Sequence, residues 1–170
     1  MSSIYLTSGP QGSGKSSYCR KIVSLQPEIR LIMRDEILIS IFGKTALAQH
    51  EHIHAKKVIF EMIINIISST KNALIILDFW NGYSKERVAM IRELKEMGVT
   101  KVFCWQFQVD IETCLKWFFQ KPDSAEYSET RVKHDYSLYY EMAKGIINDG
   151  FDKVFKINPL KPIILSEIME

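Results

Sequence analysis

Short, continuously apolar runs alternate along the chain with segments whose apolar residues recur at helical spacing. Ile4-Tyr5-Leu6 is β-rich and stops at Gly9-Pro10, and Tyr18, Ile22 and Leu25 follow at i, i+4 and i+7, one face of a helix. A second run, Leu31-Ile32-Met33, halts at Arg34-Asp35-Glu36, after which Ile37, Ile41 and Phe42 predict a helix ending near Gly43. Val58, Ile59, Met62, Ile63, Ile66 and Ile67 keep a helical period through a longer segment. Ala73 to Leu77 is apolar throughout, as expected of a strand buried on both faces. Ser84 is placed to cap a helix reaching Met97, with Gly98 as its stop. Lys101 to Val109 predicts a strand, and Asp110 predicts the cap of a helix over 111–119. The polar stretch from Pro122 to Thr130 then leads into a helix carrying Val132, Tyr136, Tyr139, Ala143 and Ile147. Val154 to Ile157 is the expected last strand.

Strands and helices in this alternation predict an α/β fold of three layers, α/β/α, around a mostly parallel five-stranded sheet. No repeat, low-complexity tract or linker divides the chain, so one domain over 1–170 is expected. Composition agrees with an ordinary globular protein: 46% hydrophobic and 25% charged residues over 170 positions. The 22 Lys+Arg against 20 Asp+Glu give a net charge of +2, which does not by itself announce a nucleic-acid or membrane partner. Three scattered cysteines, Cys19, Cys104 and Cys114, form no CxxC pair and suggest neither a disulfide framework nor a thiolate metal site. No apolar run approaches the length of a signal peptide core or a membrane span, so a cytoplasmic location is expected.

The strongest chemical signal is Gly9-Pro10-Gln11-Gly12-Ser13-Gly14-Lys15-Ser16, which satisfies GxxxxGK[ST] between an apolar strand and an amphipathic helix. Glycines let the backbone wrap a polyphosphate, so that several N–H groups and a helix N-terminus face its charge. The expected nucleotide-binding residues are Gln11, Gly12, Ser13, Gly14, Lys15, Ser16 and Ser17. Lys15 would neutralise the β- and γ-phosphates of ATP, and the Ser16 hydroxyl would ligate Mg²⁺. This motif makes the three-layer fold a P-loop NTPase fold. Asp78, closing the buried strand Ile75-Ile76-Leu77, is a candidate Walker B carboxylate that would hold Mg²⁺ or orient Arg34 or an acceptor. The other reading is a helix-capping or turn aspartate after a strand.

With these motifs in place the sequence resembles the small P-loop kinases of the polynucleotide 5′-kinase-like group, within the AAA-type ATP-binding P-loop NTPases and close to zeta-toxin kinases. The pieces are GPQGSGKSS at 9–17, Arg34-Asp35-Glu36-Ile37, and Leu77-Asp78-Phe79-Trp80-Asn81 followed by Ser84-Lys85-Glu86-Arg87, spread over most of residues 3 to 120. The resemblance implies transfer of the γ-phosphate of ATP to a hydroxyl, with Asp35 as the base that accepts the hydroxyl proton. The acceptor stays open between a polynucleotide 5′ end and a small nucleoside or sugar. Asp35 could also cap the helix over 36–42. Two departures from the group stand out. Leu38 occupies the place where such kinases carry an acceptor-gripping arginine. The lid, expected over about 117–131, contains no arginine before Arg131, leaving Lys116, Lys121 and Arg131 as candidate cations for the transferring phosphate. A nucleotide-binding module or slow NTPase without an acceptor is therefore the alternative reading.

Trp80, beside Asp78, is expected to shape acceptor choice. The polar Pro122–Thr130 stretch is the expected mobile part of the lid, closing over nucleotide to exclude water. His50-Glu51-His52-Ile53-His54 lacks an HExxH pattern and predicts a solvated helix entrance rather than a metal site. Phe118 and the Tyr136, Tyr139, Tyr140 group predict packing.

Overall fold

The computed structural model describes residues 1–45, 48–79 and 82–170, with the backbone alone at 122–123. Five strands, β1 (Ser3–Ser8), β2 (Arg30–Met33), β3 (Leu74–Asp78), β4 (Lys101–Phe107) and β5 (Lys153–Ile157), form one sheet in the order β2-β3-β1-β4-β5. Every pairing is parallel, so the expected mostly parallel sheet is parallel throughout. The long helices are α1 (Lys15–Leu25), α2 (Arg34–Phe42), α3 (Gln49–Ser69), α4 (Ser84–Glu96), α5 (Ile111–Phe118) and α6 (Glu129–Met142), and a single turn, α7 (Leu165–Ile168), ends the chain.

Side-chain alternation along the strands sorts the core into two halves. Ile4, Leu6, Ile75, Leu77 and Val102 point to the face covered by Ile59 and Ile63 of α3 and by Met90, Ile91 and Leu94 of α4. Tyr5, Ile76, Phe103, Trp105 and Phe155 point to the opposite face, under Tyr18, Cys19 and Ile22 of α1 and Ile168 of α7. Both faces of the central strands are thus closed, which is why Ala73 to Leu77 carries no polar alternation. The register pairs Leu6 with Leu77 and Met33 with Asp78, so β1, β2 and β3 present their C-terminal ends along one edge. Ligands of open α/β sheets bind at that edge. No helix among the described residues is long and apolar enough to cross a membrane.

Several elements differ from expectation for identifiable reasons. Arg34 and Asp35 do not precede α2 but form its first turn, with Met33 as the cap position. Ser84 opens α4 rather than capping it, and its hydroxyl donates to Asp149 instead. The helix expected to run to Ile147 stops at Met142. Gly145, at φ 75°, turns the chain into a short 3₁₀ segment over 146–148, leaving Ile147 exposed. Part of the polar lid stretch is itself a 3₁₀ turn, Pro122–Glu126. The closing turn α7 had no counterpart in the periodicity; it is held by the Trp105 indole N–H donating to the Ile168 carbonyl at 2.8 Å.

Candidate active site

The loop after β1 is shaped by glycines where a side chain has no room. Gly12 and Gly14 lie at φ 77° and 79°, a region only glycine enters freely. A Cβ on Gly12 would run into the Cys114 carbonyl, and one on Gly14 would come within 2.9 Å of the Trp117 ring. The loop is therefore seated on α5, and Trp117 belongs to its floor as much as to the lid. Gly14 is the cap position of α1, and the Lys15, Ser16 and Ser17 N–H groups come before the first hydrogen bond of the helix, which Tyr18 donates to the Gly14 carbonyl at 2.9 Å. Partial positive charge from these N–H groups and from the helix dipole gathers at the loop. Of the residues expected here, Gly12 and Ser13 are buried, whereas Gln11 and Ser17 are exposed.

The Lys15 ammonium reaches back into the loop, donating to the carbonyls of Gly9 and Pro10, each at 2.9 Å, and makes no ion pair among the described residues. Burial pushes its pKa below the ordinary lysine value, Asp78 pulls it partly back, and Lys121 presses it down further. Ser16 donates its hydroxyl to Asp78 Oδ2 at 2.7 Å, and Thr7 donates to Asp78 Oδ1 at 2.7 Å. Asp78 thus joins the end of β3 to β1 and to the first turn of α1, and Arg34 is turned elsewhere.

Asp35 sits at the same sheet edge, in the first turn of α2, where a carboxylate also complements the helix dipole. Its carboxylate is exposed and receives Arg34 Nη1 at 3.1 Å. A further ion pair, Arg20 to Glu36 at 2.7 Å, ties α1 to α2 beside it. The Arg34 guanidinium donates also to His52 Nδ1 at 3.0 Å and lies 5.6 Å from the centroid of the Phe79 ring. Leu38 is fully buried and faces the core, not the edge.

The lid cations separate by position. Lys121 lies over the Phe118 ring at 5.6 Å, and its charge is felt at Lys15. Arg131 is stacked on Tyr127 at 4.8 Å, and Lys116 is exposed on α5. Trp80 and Asn81 lie outside the described residues.

Sequence reasoning passed over Thr7 and read His52 only as part of a solvated helix entrance. Thr7 was findable, because a polar residue one step beyond Tyr5 on the α1 face must have a buried partner. His52 was not, because its partner Arg34 is brought to it only by the packing of α2 on α3.

A serine hydroxyl and one carboxylate are hard oxygen donors, and Mg²⁺ is commonly held by one or two such groups together with substrate phosphates. Ser16 and Asp78 fit that ion, and Lys15 with the loop amides fits the phosphates. Among the described residues, no group of three His, Cys, Asp or Glu side chains could hold a metal without such help.

No family model and no curated protein matches the sequence. Solved structures do match. A structure of the Pnkp1/Rnl/Hen1 RNA repair complex superimposes with a TM-score of 0.70 at 15% identity, over 84% of this chain and 45% of that one. The fold is one found in a chain of that complex. A second structure of the Pnkp1/Rnl/Hen1 complex gives 0.60 at 19% identity, over 67% of this chain and 38% of that one. A crystal structure of a fungal RNA kinase gives 0.58 at 14%, over 95% and 76%. The chain spans less than half of the two repair-complex chains it matches. This kinase-like likeness is one of architecture: the three-layer fold and its parallel sheet are shared at identities too low to carry individual residues across.

Proposed function

We propose that the protein is a phosphotransferase that moves the γ-phosphate of ATP to a hydroxyl acceptor. The observation that carries this reading is the joint at Asp78. One carboxylate binds the P-loop serine and the end of β1, directly beside the loop that holds Lys15. The kinase-like architecture, shared with proteins of RNA repair and with an RNA kinase, supports it and makes a nucleic-acid 5′ end a natural acceptor.

The loop amides and Lys15 would hold the β- and γ-phosphates, and Ser16 and Asp78 would hold Mg²⁺. When bound, that ion neutralises charge on the phosphate oxygens. Asp35 would accept the hydroxyl proton as the acceptor oxygen forms its bond to the γ-phosphorus. The bond from that phosphorus to the β,γ-bridging oxygen breaks, and ADP leaves with the electron pair. Catalysis of this kind rests on alignment and charge stabilisation. Lys121 is the lid cation best placed to meet the charge of the transferring group, because it already acts on Lys15.

One observation favours a second reading, a nucleotide-binding module or slow NTPase. Leu38 is sealed in the core, and no arginine precedes Arg131 in the lid. ADP release measured with and without a panel of hydroxyl acceptors decides between the two. Acceptor-dependent ADP that disappears in Lys15→Ala supports transfer. ADP formation indifferent to every acceptor would establish the second reading.

A further inference from the structure

One side of α3 packs on the core, and another stands in water at the spacing of a second seam. Ala55, Ile59 and Ile63 are buried inward. Ile53, Lys57, Phe60 and Ile64 recur on the outward side at intervals of four, three and four residues, the spacing along which one helix meets another in a coiled coil. Ile53 is 66% exposed and Ile64 42%. With Phe60, and with Met97 at the end of α4, they line an open groove of about 530 Å³. A contiguous apolar seam left in water is unfavourable and marks an interaction surface.

The charges on this face say what covers it. Lys56 pairs with Glu93 at 2.6 Å, and the exposed Lys57 stands 3.9 Å from the exposed Glu61. Two cations and two anions cancel, so the groove holds no attraction for a polyanion or for a strongly basic segment. It is instead complementary to itself. Let a second α3 lie antiparallel across it, with the two-fold axis midway between Lys57 and Glu61. Ile53 then comes level with Ile64 of the second copy, and Lys57 with Glu61 of the second copy, and each contact occurs twice. An in-register parallel arrangement would set Lys57 on Lys57 and Glu61 on Glu61, which is repulsive. A lysine within an apolar seam also fixes register and orientation, at some cost in stability. The 21 residues of α3 and the adjoining 13 of α4, each helix about 10 Å wide, cover roughly 500 Å² a side, the low end of specific interfaces.

We propose that this face of α3 is the contact of a symmetric antiparallel homodimer, held by Ile53, Phe60, Ile64 and Met97 and set in register by Lys57 against Glu61 of the second copy. The modest area makes the dimer a weak one, forming in the micromolar range. None of these side chains takes part in the Lys15–Asp78 site, so the dimer stands whether or not phosphate is transferred.

Sedimentation velocity of the full chain over a micromolar concentration series tests it. The parent is expected to pass from monomer to dimer as concentration rises. Ile53→Asp, Lys57→Glu and Glu61→Lys, all at exposed positions that spare the core, are each expected to weaken association at least about tenfold. In the two charge variants like charges face each other across the axis. An equimolar mixture of Lys57→Glu with Glu61→Lys is expected to associate as the parent does, because opposite charges meet again, and so is the double variant that carries both changes. Unchanged far-ultraviolet circular dichroism ties any loss to the contact rather than to folding. A parent that stays monomeric throughout the series, or a dimer that none of the variants weakens, overturns the proposal. Association lost in the single charge variants and not regained in their mixture overturns it too, since Lys57 and Glu61 would then not meet across the axis.

Discussion

Lys15 carries its charge where burial disfavours it, and the carbonyls of Gly9 and Pro10 compensate only in part. A polyphosphate would supply the missing counter-charge and raise its pKa again. Nucleotide affinity is therefore expected to be full below the lowered pKa and to fall as pH rises through it, with protons taken up on binding in that window. Titrations in buffers of different ionisation enthalpy read this uptake directly; affinity that is flat across the alkaline range would contradict it. The same shift has the opposite sign for the nucleotide-free fold. Between the lowered pKa and the ordinary lysine value the unfolded chain holds more protons, so stability rises with pH there. Thr7 gives a second residue-scale prediction. Thr7→Val removes one of the two hydroxyls that orient Asp78 while keeping volume, and is expected to weaken Mg²⁺ binding about tenfold. Metal-dependent nucleotide affinity in the variant measures it. Lys15, Ser16 and Asp78 could be read from the chain because a loop motif and a strand end are local patterns. That a polar Thr7 in a buried strand needs a partner could be read as well, but not that the partner is Asp78, because the two meet only after β1 and β3 pair.

At the scale of elements, the P-loop and α5 form one joint. Gly12 faces the Cys114 carbonyl and Gly14 faces the Trp117 ring, so α5 fixes the loop from below. Gly12→Ala combines a left-handed backbone with a collision against main chain, which cannot swing aside as a side chain does. It is expected to destabilise the fold by roughly 1–3 kcal/mol and to disorder the loop between β1 and α1 together with it. A lowered urea midpoint accompanied by lost nucleotide binding checks this; an unchanged midpoint would show that α5 yields freely. The elements themselves were largely legible, since continuous apolar runs and 3.6-residue periods mark a parallel sheet and its helices. The exceptions share a cause. Asp35 was open between a general base and the cap of the helix over 36–42 because a carboxylate suits both, and the three-dimensional setting gives the cap position to Met33 and places Asp35 inside α2. Ile147 kept the helical period, but Gly145 breaks the helix before it. The His50–His54 stretch read as a solvated helix entrance, and His52 is indeed exposed, yet it lies beside Arg34 because α2 folds back onto α3.

Across the whole molecule a buried ion pair binds the start of α4 to the segment that follows α6. Arg87, fully buried in the first turn of α4, donates through Nε to Asp149 Oδ2 at 2.5 Å and through Nη1 to the carbonyls of Gly82 and of Met142. Ser84 donates to the other oxygen of Asp149. Among the described residues Nη2 has no hydrogen-bond partner, so one donor of the network stays unsatisfied there. Its desolvation cost is large, and its worth lies in holding the β3–α4 turn and the segment after α6 in one arrangement. Removing one charge leaves the other buried and unpaired. Arg87→Ala is therefore expected to cost about 3–5 kcal/mol, which for a chain of this size lowers Tm by roughly 6–20 °C. Replacing both partners, as in Arg87→Met with Asp149→Leu, is expected to recover part of that loss, because no isolated charge remains. Thermal unfolding of the two singles and the double closes the cycle. A double variant as unstable as the sum of its singles would mean that the two residues act independently and that the two segments are joined by apolar packing alone. Recovery beyond that sum would show that the two charges act as a pair and that the cost of each single variant lies in the charge it leaves alone.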